Sequence, residues 1–252
     1  MTSHRFSISH ILRPEILVAE KDFLILYKPP RLHSAPLPHS AGESLLHWCA
    51  GRFPEILGLP GRREGEGGLL HRLDYETNGL LIIARTVGGM EALLGEHKQG
   101  RILKKYTAIT GESMTALKGF PKEKPMIDFT REIGNVRIES GFRPYGPGRK
   151  AVRPALLEDP LMGNQYVTEI LEGISLAPGM MSLGLRIVKG FRHQIRSHLA
   201  WLGLPIINDG LYGGATHGNG FLGLRASSLS FTPPFLDREQ TFSIPPLESG
   251  AL

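Results

Sequence analysis

Residues 71–84 read HRLDYETNGLLIIA. A His-Arg-x-Asp turn runs into an unbroken apolar stretch, Leu80–Ala84. A short apolar run bounded by turn residues reads as a strand buried on both faces. The turn therefore sets one carboxylate, Asp74, and one guanidinium, Arg72, at the edge of a sheet. A nucleophile needs such a place, held by backbone beside a rigid element. The plainer reading of the same residues is a capping or turn aspartate, with Thr77, Asn78 and Gly79 making a tight turn. A kinase catalytic loop also carries His-Arg-Asp. The chain has no glycine-rich phosphate loop followed by a strand lysine and no Asp-Phe-Gly, so that reading falls.

Working outward, residues 16–19 and 23–27 are apolar runs parted by Glu20-Lys21-Asp22, a hairpin ending at Lys28-Pro29-Pro30. Residues 44–53 read as a helix with Ser44 as N-cap and Leu45, Trp48 and Cys49 on one face. Residues 87–99 read as a second helix, with Met90, Leu93, Leu94 and His97 in helical spacing. Strands are expected at 106–110, 166–171, 181–188 and 221–231. The stretch 111–165 is the least regular and reads as strands interrupted by long loops. Residues 193–202 form a short helix, with Ile195, Leu199 and Leu202 repeating at four and three and Gly203 as the C′ residue. The Pro-rich tail after Pro233 is expected to pack loosely. Strands dominate and helices are few, so the class is α+β.

In 252 residues, Lys plus Arg exceed Asp plus Glu by five. That excess suits a polyanion such as RNA, and equally a solvated basic surface. The basic residues gather in loops, at Arg62-Arg63, Lys104-Lys105 and Arg149-Lys150, where phosphate contacts are often made. No apolar run is long enough for a membrane span. The first residues lack the pattern of a secretory signal. Cys49 is the only cysteine, which excludes an intrachain disulfide and fits a reducing cytoplasm.

A second cluster lies in GFRHQIRSHLAWLGLPIINDGLYG, residues 190–213. Arg192, His193, Arg196 and His198 crowd a helix start, where the dipole disfavours cations, so they are expected to face an anion or a carboxylate. His193 and His198 are five apart, whereas a helical metal pair needs four, so a metal is not expected. No cofactor motif is found in the chain either, so no cofactor is expected. Each histidine has the commoner alternative of a hydrogen-bonded core or surface side chain. Tyr106, in Lys104-Lys105-Tyr106, is either half-buried packing or a ring that stacks on a base. A hydrolase reading lacks any Gly-x-Ser-x-Gly turn.

Taken in order, Lys28-Pro29-Pro30, 71-HRLDYETNG-79, Lys104-Lys105-Tyr106, 190-GFRHQIRSH-198 and Asp209-Gly210-Leu211-Tyr212 resemble the RluA family of RNA pseudouridine synthases. The resemblance implies a pseudouridine synthase fold: a mixed, mostly antiparallel curved sheet in two halves with flanking helices and a central cleft. It implies that Asp74 is the catalytic aspartate and that Arg72 helps displace the target uridine. Tyr106 would stack on the uracil, and Arg196 would pair with the catalytic carboxylate. Lys104, Arg192 and His193 would contact RNA. A partly buried carboxylate nucleophile must stay ionised, and a guanidinium within hydrogen-bond reach serves that. The expected organisation is an N-terminal extension at 1–14, a catalytic domain at 15–232 and a tail at 233–252, with no S4 RNA-binding module. The expected partner is ribosomal or transfer RNA, with no membrane, and the protein acts as a cytoplasmic monomer. A catalytically dispensable RNA-folding protein of the same fold is the alternative. Five positions depart from the family pattern: Arg31 and Asn208 stand in place of glycines, Asn78 of serine, Phe191 of arginine and Arg225 of histidine. Arg31 and Arg225 are open to two readings, as extra phosphate contacts or as neutral drift.

Overall fold

The computed structural model describes residues 2–37, 43–112, 117–123, 134–156 and 164–247. In chain order the elements are β1 (Thr2–Arg5), β2 (Glu15–Ala19), β3 (Phe23–Lys28), α1 (Leu45–Ala50), β4 (Asn78–Ala84), α2 (Val87–Lys98), β5 (Leu103–Gly111), β6 (Val136–Tyr145), β7 (Ala151–Ala155), β8 (Tyr166–Ala177), β9 (Met180–Ile187), α3 (Gln194–Leu202), β10 (Leu224–Phe231) and β11 (Gln240–Ser243). Strands dominate, as an α+β chain requires. The chain divides into two units, Met1–Lys104 with Arg225–Pro246, and Lys105–Leu224 with Leu247–Leu252. No described helix is long and apolar enough to cross a membrane.

In the first unit, β3 and β4 are apolar almost throughout and buried along their whole length. They pair antiparallel from Phe23 opposite Ala84 to Lys28 opposite Gly79. β2 completes the expected hairpin on the other side of β3, with an irregularity between Ile16 and Val18. β10 lies parallel to β4, Ala226 beside Gly79. At Gly79 φ is 128°, and a Cβ there would sit 2.3 Å from the Ala226 carbonyl oxygen, so only glycine fits. Asn78 and Gly79 therefore open a strand instead of closing a tight turn.

Up to Leu247 the tail does not pack loosely; residues 248–252 lie outside the described residues. β11 pairs antiparallel with β10 and parallel with β1. Phe242 and Ile244 are buried, and the Phe242 ring meets Phe23 edge-on at 6.1 Å and Phe231 at 5.5 Å. The alternation in Thr241-Phe242-Ser243-Ile244 puts one face in the core, and that outweighs the prolines around it. In α1, Ser44 caps as expected by accepting from the His47 N–H. The buried stripe is Leu45, Leu46 and Cys49, while Trp48 remains 39% exposed because this six-residue helix turns it away. In α2, Thr86 is the N-cap and Met90 and Leu93 carry the burial.

In the second unit, β8 and β9 form a long antiparallel hairpin. β6 changes partner along its length, pairing with β8 up to Ser140 and with β7 from Gly141. The irregular stretch thus does contain strands. β5 lies beside β9. α3 packs on β7 and β8 and buries Ile195, Leu199 and Leu202 as expected. It ends at Gly203 in the left-handed region, φ 86°, where a glycine relieves the strain.

Candidate active site

The first unit presents Asp74 on a clamped turn. The Thr77 N–H donates to the Asp74 carbonyl at 3.1 Å, closing the turn. Residue 73 is held from outside by one hydroxyl: Ser34 Oγ donates to the Leu73 carbonyl at 2.9 Å and accepts from the Leu73 N–H at 3.0 Å. Residue 75 is held by Lys28, whose Nζ donates to the carbonyls of Tyr75, Leu32 and Pro29 at 3.2, 2.8 and 2.8 Å. Lys28 is fully buried at the end of β3. Burial pulls its pKa down to about 7, against the opposing pull of the Asp74 and Glu76 carboxylates. The aspartate itself is half-buried between these two fixed neighbours. Arg72 points outward, half-exposed, with Nη1 3.1 Å from the buried Glu66 carboxylate.

Lys104 is also buried, and burial together with the Arg62 charge lowers its pKa to about 8. Its ammonium is not offered at the surface, unlike that of the exposed Lys105. His71 is held neutral by burial and by the charges of Lys104, His97 and Arg62. Tyr106, in β5 of the second unit, is buried too.

In the second unit Arg196 faces a carboxylate, as the crowding of cations predicts. Its Nε and Nη2 donate to the two Asp209 oxygens, both at 2.7 Å, and both residues are buried. This bidentate geometry fixes the guanidinium plane. The Tyr212 ring lies 5.2 Å from the Arg196 guanidinium carbon. The Tyr212 hydroxyl accepts from the Val152 N–H at 3.0 Å and lies 3.2 Å from His193 Nδ1. His193 takes a left-handed conformation, φ 55°, just before the first turn of α3. Gln194 accepts from the Phe191 N–H and donates to the Val167 carbonyl, tying the loop to β8. His198 takes the commoner fate of a core histidine, between Ser140 Oγ at 2.9 Å and Thr168 Oγ1 at 2.8 Å, with its pKa pushed down to about 3 by burial.

Three of the five departures, Asn208, Asn78 and Arg225, acquire a physical reason, and nothing in the structure explains the arginine at position 31. Arg31 and Asn208 have φ of 58° and 62°, which explains why glycine suits those positions. Asn208 offsets the strain by donating from Nδ2 to the carbonyls of His217 and Phe221 and accepting from the His217 N–H. Arg31 is exposed and lies 3.8 Å from Glu76. Asn78 and Arg225 belong together: Arg225 Nε donates to Asn78 Oδ1 at 2.8 Å, and its Nη1 donates to the Pro245 carbonyl. Arg225 is buried, so it is a lock between β4 and β10 and not a phosphate contact.

In the sequence Lys28, Gln194 and Asp209 stand only as motif letters, and nothing singles out Ser34 or Glu66. A lysine closing an otherwise apolar strand, FLILYK, is the one local signal available. The others depend on contacts between distant residues.

Residues 22–201 match the family profile described as RNA pseudouridylate synthase. Ribosomal large subunit pseudouridine synthase D of Haemophilus influenzae is 27% identical over 201 residues, covering 79% of this chain and 52% of the relative. Its counterpart in Escherichia coli is 26% identical over 200 residues, with the same coverage. The chain thus spans about half the length of these curated relatives. Among solved structures, human RNA pseudouridylate synthase domain containing 1 superposes with a TM-score of 0.61 at 20% identity, covering 92% of this chain and 84% of the other. Human RNA pseudouridylate synthase domain containing 4 gives 0.61 at 19% identity, covering 93% and 89%. These two likenesses establish a shared fold, and the profile, spanning most of the chain, establishes the kinship: this chain belongs to the RNA pseudouridylate synthase family.

Proposed function

We propose that this protein converts specific uridines in RNA to pseudouridine, with Asp74 as nucleophile. The observation that carries the reading is the clamped turn: Asp74 is half-buried between a residue bonded through Ser34 and one bonded through Lys28. Such a carboxylate loses little freedom on attack, which is how an enzyme lowers a barrier through positioning. The reaction breaks the bond from uracil N1 to ribose C1′ and makes one from C5 to C1′. N1 gains a proton and C5 loses one to solvent, so atoms balance without a redox step. The base must leave the stack to turn, and Arg72 is suited to take its place. Tyr106 stacks on the detached uracil, and Arg196 helps keep the nucleophile ionised. Arg192 and His193 contact the RNA, whereas Lys104, expected to do so as well, is buried and is left out of that contact set. The names of the relatives favour large-subunit ribosomal RNA as substrate, with transfer RNA the second class to try. The enzyme works as a cytoplasmic monomer.

The test uses unmodified ribosomal and transfer RNA carrying tritium at uracil C5. Wild type releases tritium and Asp74→Ala does not, although both melt at similar temperatures. Absence of release by wild type, with tight RNA binding by both proteins, would instead favour an RNA-folding role for the same fold.

A further inference from the structure

Phe191 stands where the family pattern has an arginine, and the structure gives it an aromatic setting. It lies flat on Phe142, with ring centroids 5.1 Å apart and planes within 5°. Tyr166 leans on Phe191 at 5.0 Å and 49°. Beneath them His198 meets Phe142 at 4.9 Å and is pinned by Ser140 and Thr168. The Phe191 N–H donates to Gln194 Oε1, so the ring is held from its backbone as well. Phe142 is buried, whereas Phe191 and Tyr166 are half-exposed. This is an aromatic step whose outer two rings, Phe191 and Tyr166, keep part of their surface accessible.

The loops on the Phe191 side are basic. Arg149, Lys150, Lys189 and Arg192 are all exposed. Arg192 Nη2 donates to the Arg149 carbonyl at 2.6 Å, which draws the Gly146–Lys150 loop against the entry to α3. Residues 146–151 and 188–193 contain no aspartate or glutamate. Cations hold a nucleic-acid backbone, and a fixed aromatic surface beside them takes a base by stacking, which needs the base to be unpaired.

We propose that Phe191, with Tyr166 beside it, is a stacking step for an unpaired nucleotide of the RNA, whose phosphates lie along Arg192 and Arg149. The inference rests on the RNA-modifying reading above and adds a subsite to it. Phe191 lies in the loop that enters α3, five residues before Arg196 in the helix, so a base stacked there fixes the register of the strand along α3. The step therefore contributes to the choice of target.

The test compares full-length wild type with Phe191→Leu, Phe191→Tyr and Phe191→Trp, using fluorescently labelled single-stranded oligouridylate as the binding probe. Phe191→Leu keeps the apolar bulk and loses the ring. It weakens binding by about fivefold or more, while Phe191→Tyr stays close to wild type. The salt dependence of binding keeps its slope in Phe191→Leu, because the phosphate contacts remain, and becomes shallower by about one in Arg192→Ala. In Phe191→Trp the added indole emission is quenched by the oligonucleotide, after subtraction of the Trp48 and Trp201 signal seen in wild type. Equal binding by all variants, or an unquenched indole on a protein that still binds, overturns the step. Tritium release is measured alongside. Release without the stacking signature overturns the step and leaves the enzyme reading standing. The stacking signature without release supports the step and removes the enzyme reading. Failure of wild type to bind the probe overturns the step.

Discussion

Replacing Asp209 by alanine removes the counter-charge that the buried Arg196 now has on two of its nitrogens. Both bonds are 2.7 Å and both side chains are shielded from water. With charge centres about 4 Å apart and an effective dielectric near 20, the attraction is of order 4 kcal/mol. Truncating one partner of a buried pair costs about 3–5 kcal/mol, because the other charge stays behind in a site built for a carboxylate. At about 2–4 °C per kcal/mol for a chain of this size, Asp209→Ala should melt roughly 6–20 °C below wild type. Thermal and urea unfolding followed by circular dichroism measure this. On the proposed role of Arg196, tritium release should fall by about two orders of magnitude, since a displacement of about an ångström takes the guanidinium out of position. Arg196→Met combined with Asp209→Leu should regain most of the lost stability and none of the activity. Two results would refute the reasoning: a melting loss below about 2 °C for Asp209→Ala, or a double variant no more stable than the single.

Other perturbations test neighbouring parts of the argument. Ser34→Ala leaves the buried Leu73 N–H and carbonyl without their hydroxyl partner and should cost about 1–3 kcal/mol in urea unfolding, with kcat falling more than KM rises. An unchanged kcat would separate the Ser34 clamp from catalysis. His198 has a folded pKa of about 3, below the ordinary 6.5, so the unfolded chain binds its proton first as the pH falls. Its contribution is therefore intact above about pH 6.5 and drains away toward pH 3, at up to about 1.4 kcal/mol per pH unit. His198→Gln should remove about one proton from the acid-side slope of stability, and a slope identical to wild type would contradict the buried neutral assignment. For the Asn78–Arg225 lock, a double-mutant cycle with Asn78→Ala and Arg225→Leu should give a coupling of about 0.5–3 kcal/mol, and strict additivity would show that the two residues do not act together.

What was legible in the sequence was whatever depends on neighbours along the chain. The unbroken apolar run at Leu80–Ala84 announced a buried strand, the spacing of Ile195, Leu199 and Leu202 announced α3, and Ser44 and Gly203 marked helix ends. Motif order was enough to nominate Asp74, Tyr106 and Arg196. The tertiary structure decided the rest, because backbone pairing and burial join residues far apart in sequence. It turned Asn78-Gly79 from a tight turn into the start of β4, since β10 arrives from 147 residues away to pair with it. It drew the Pro-rich tail into a sheet through Phe242 and Ile244. It buried Arg225 and Lys104, which charge alone would place at the surface. A charged residue in a sequence says only that it must find water, a counter-charge or a carbonyl. Which of the three it finds depends on what the fold brings beside it: for Lys28 three carbonyls, for Arg196 the Asp209 carboxylate, and for Arg192 an exposed position against the Arg149 loop.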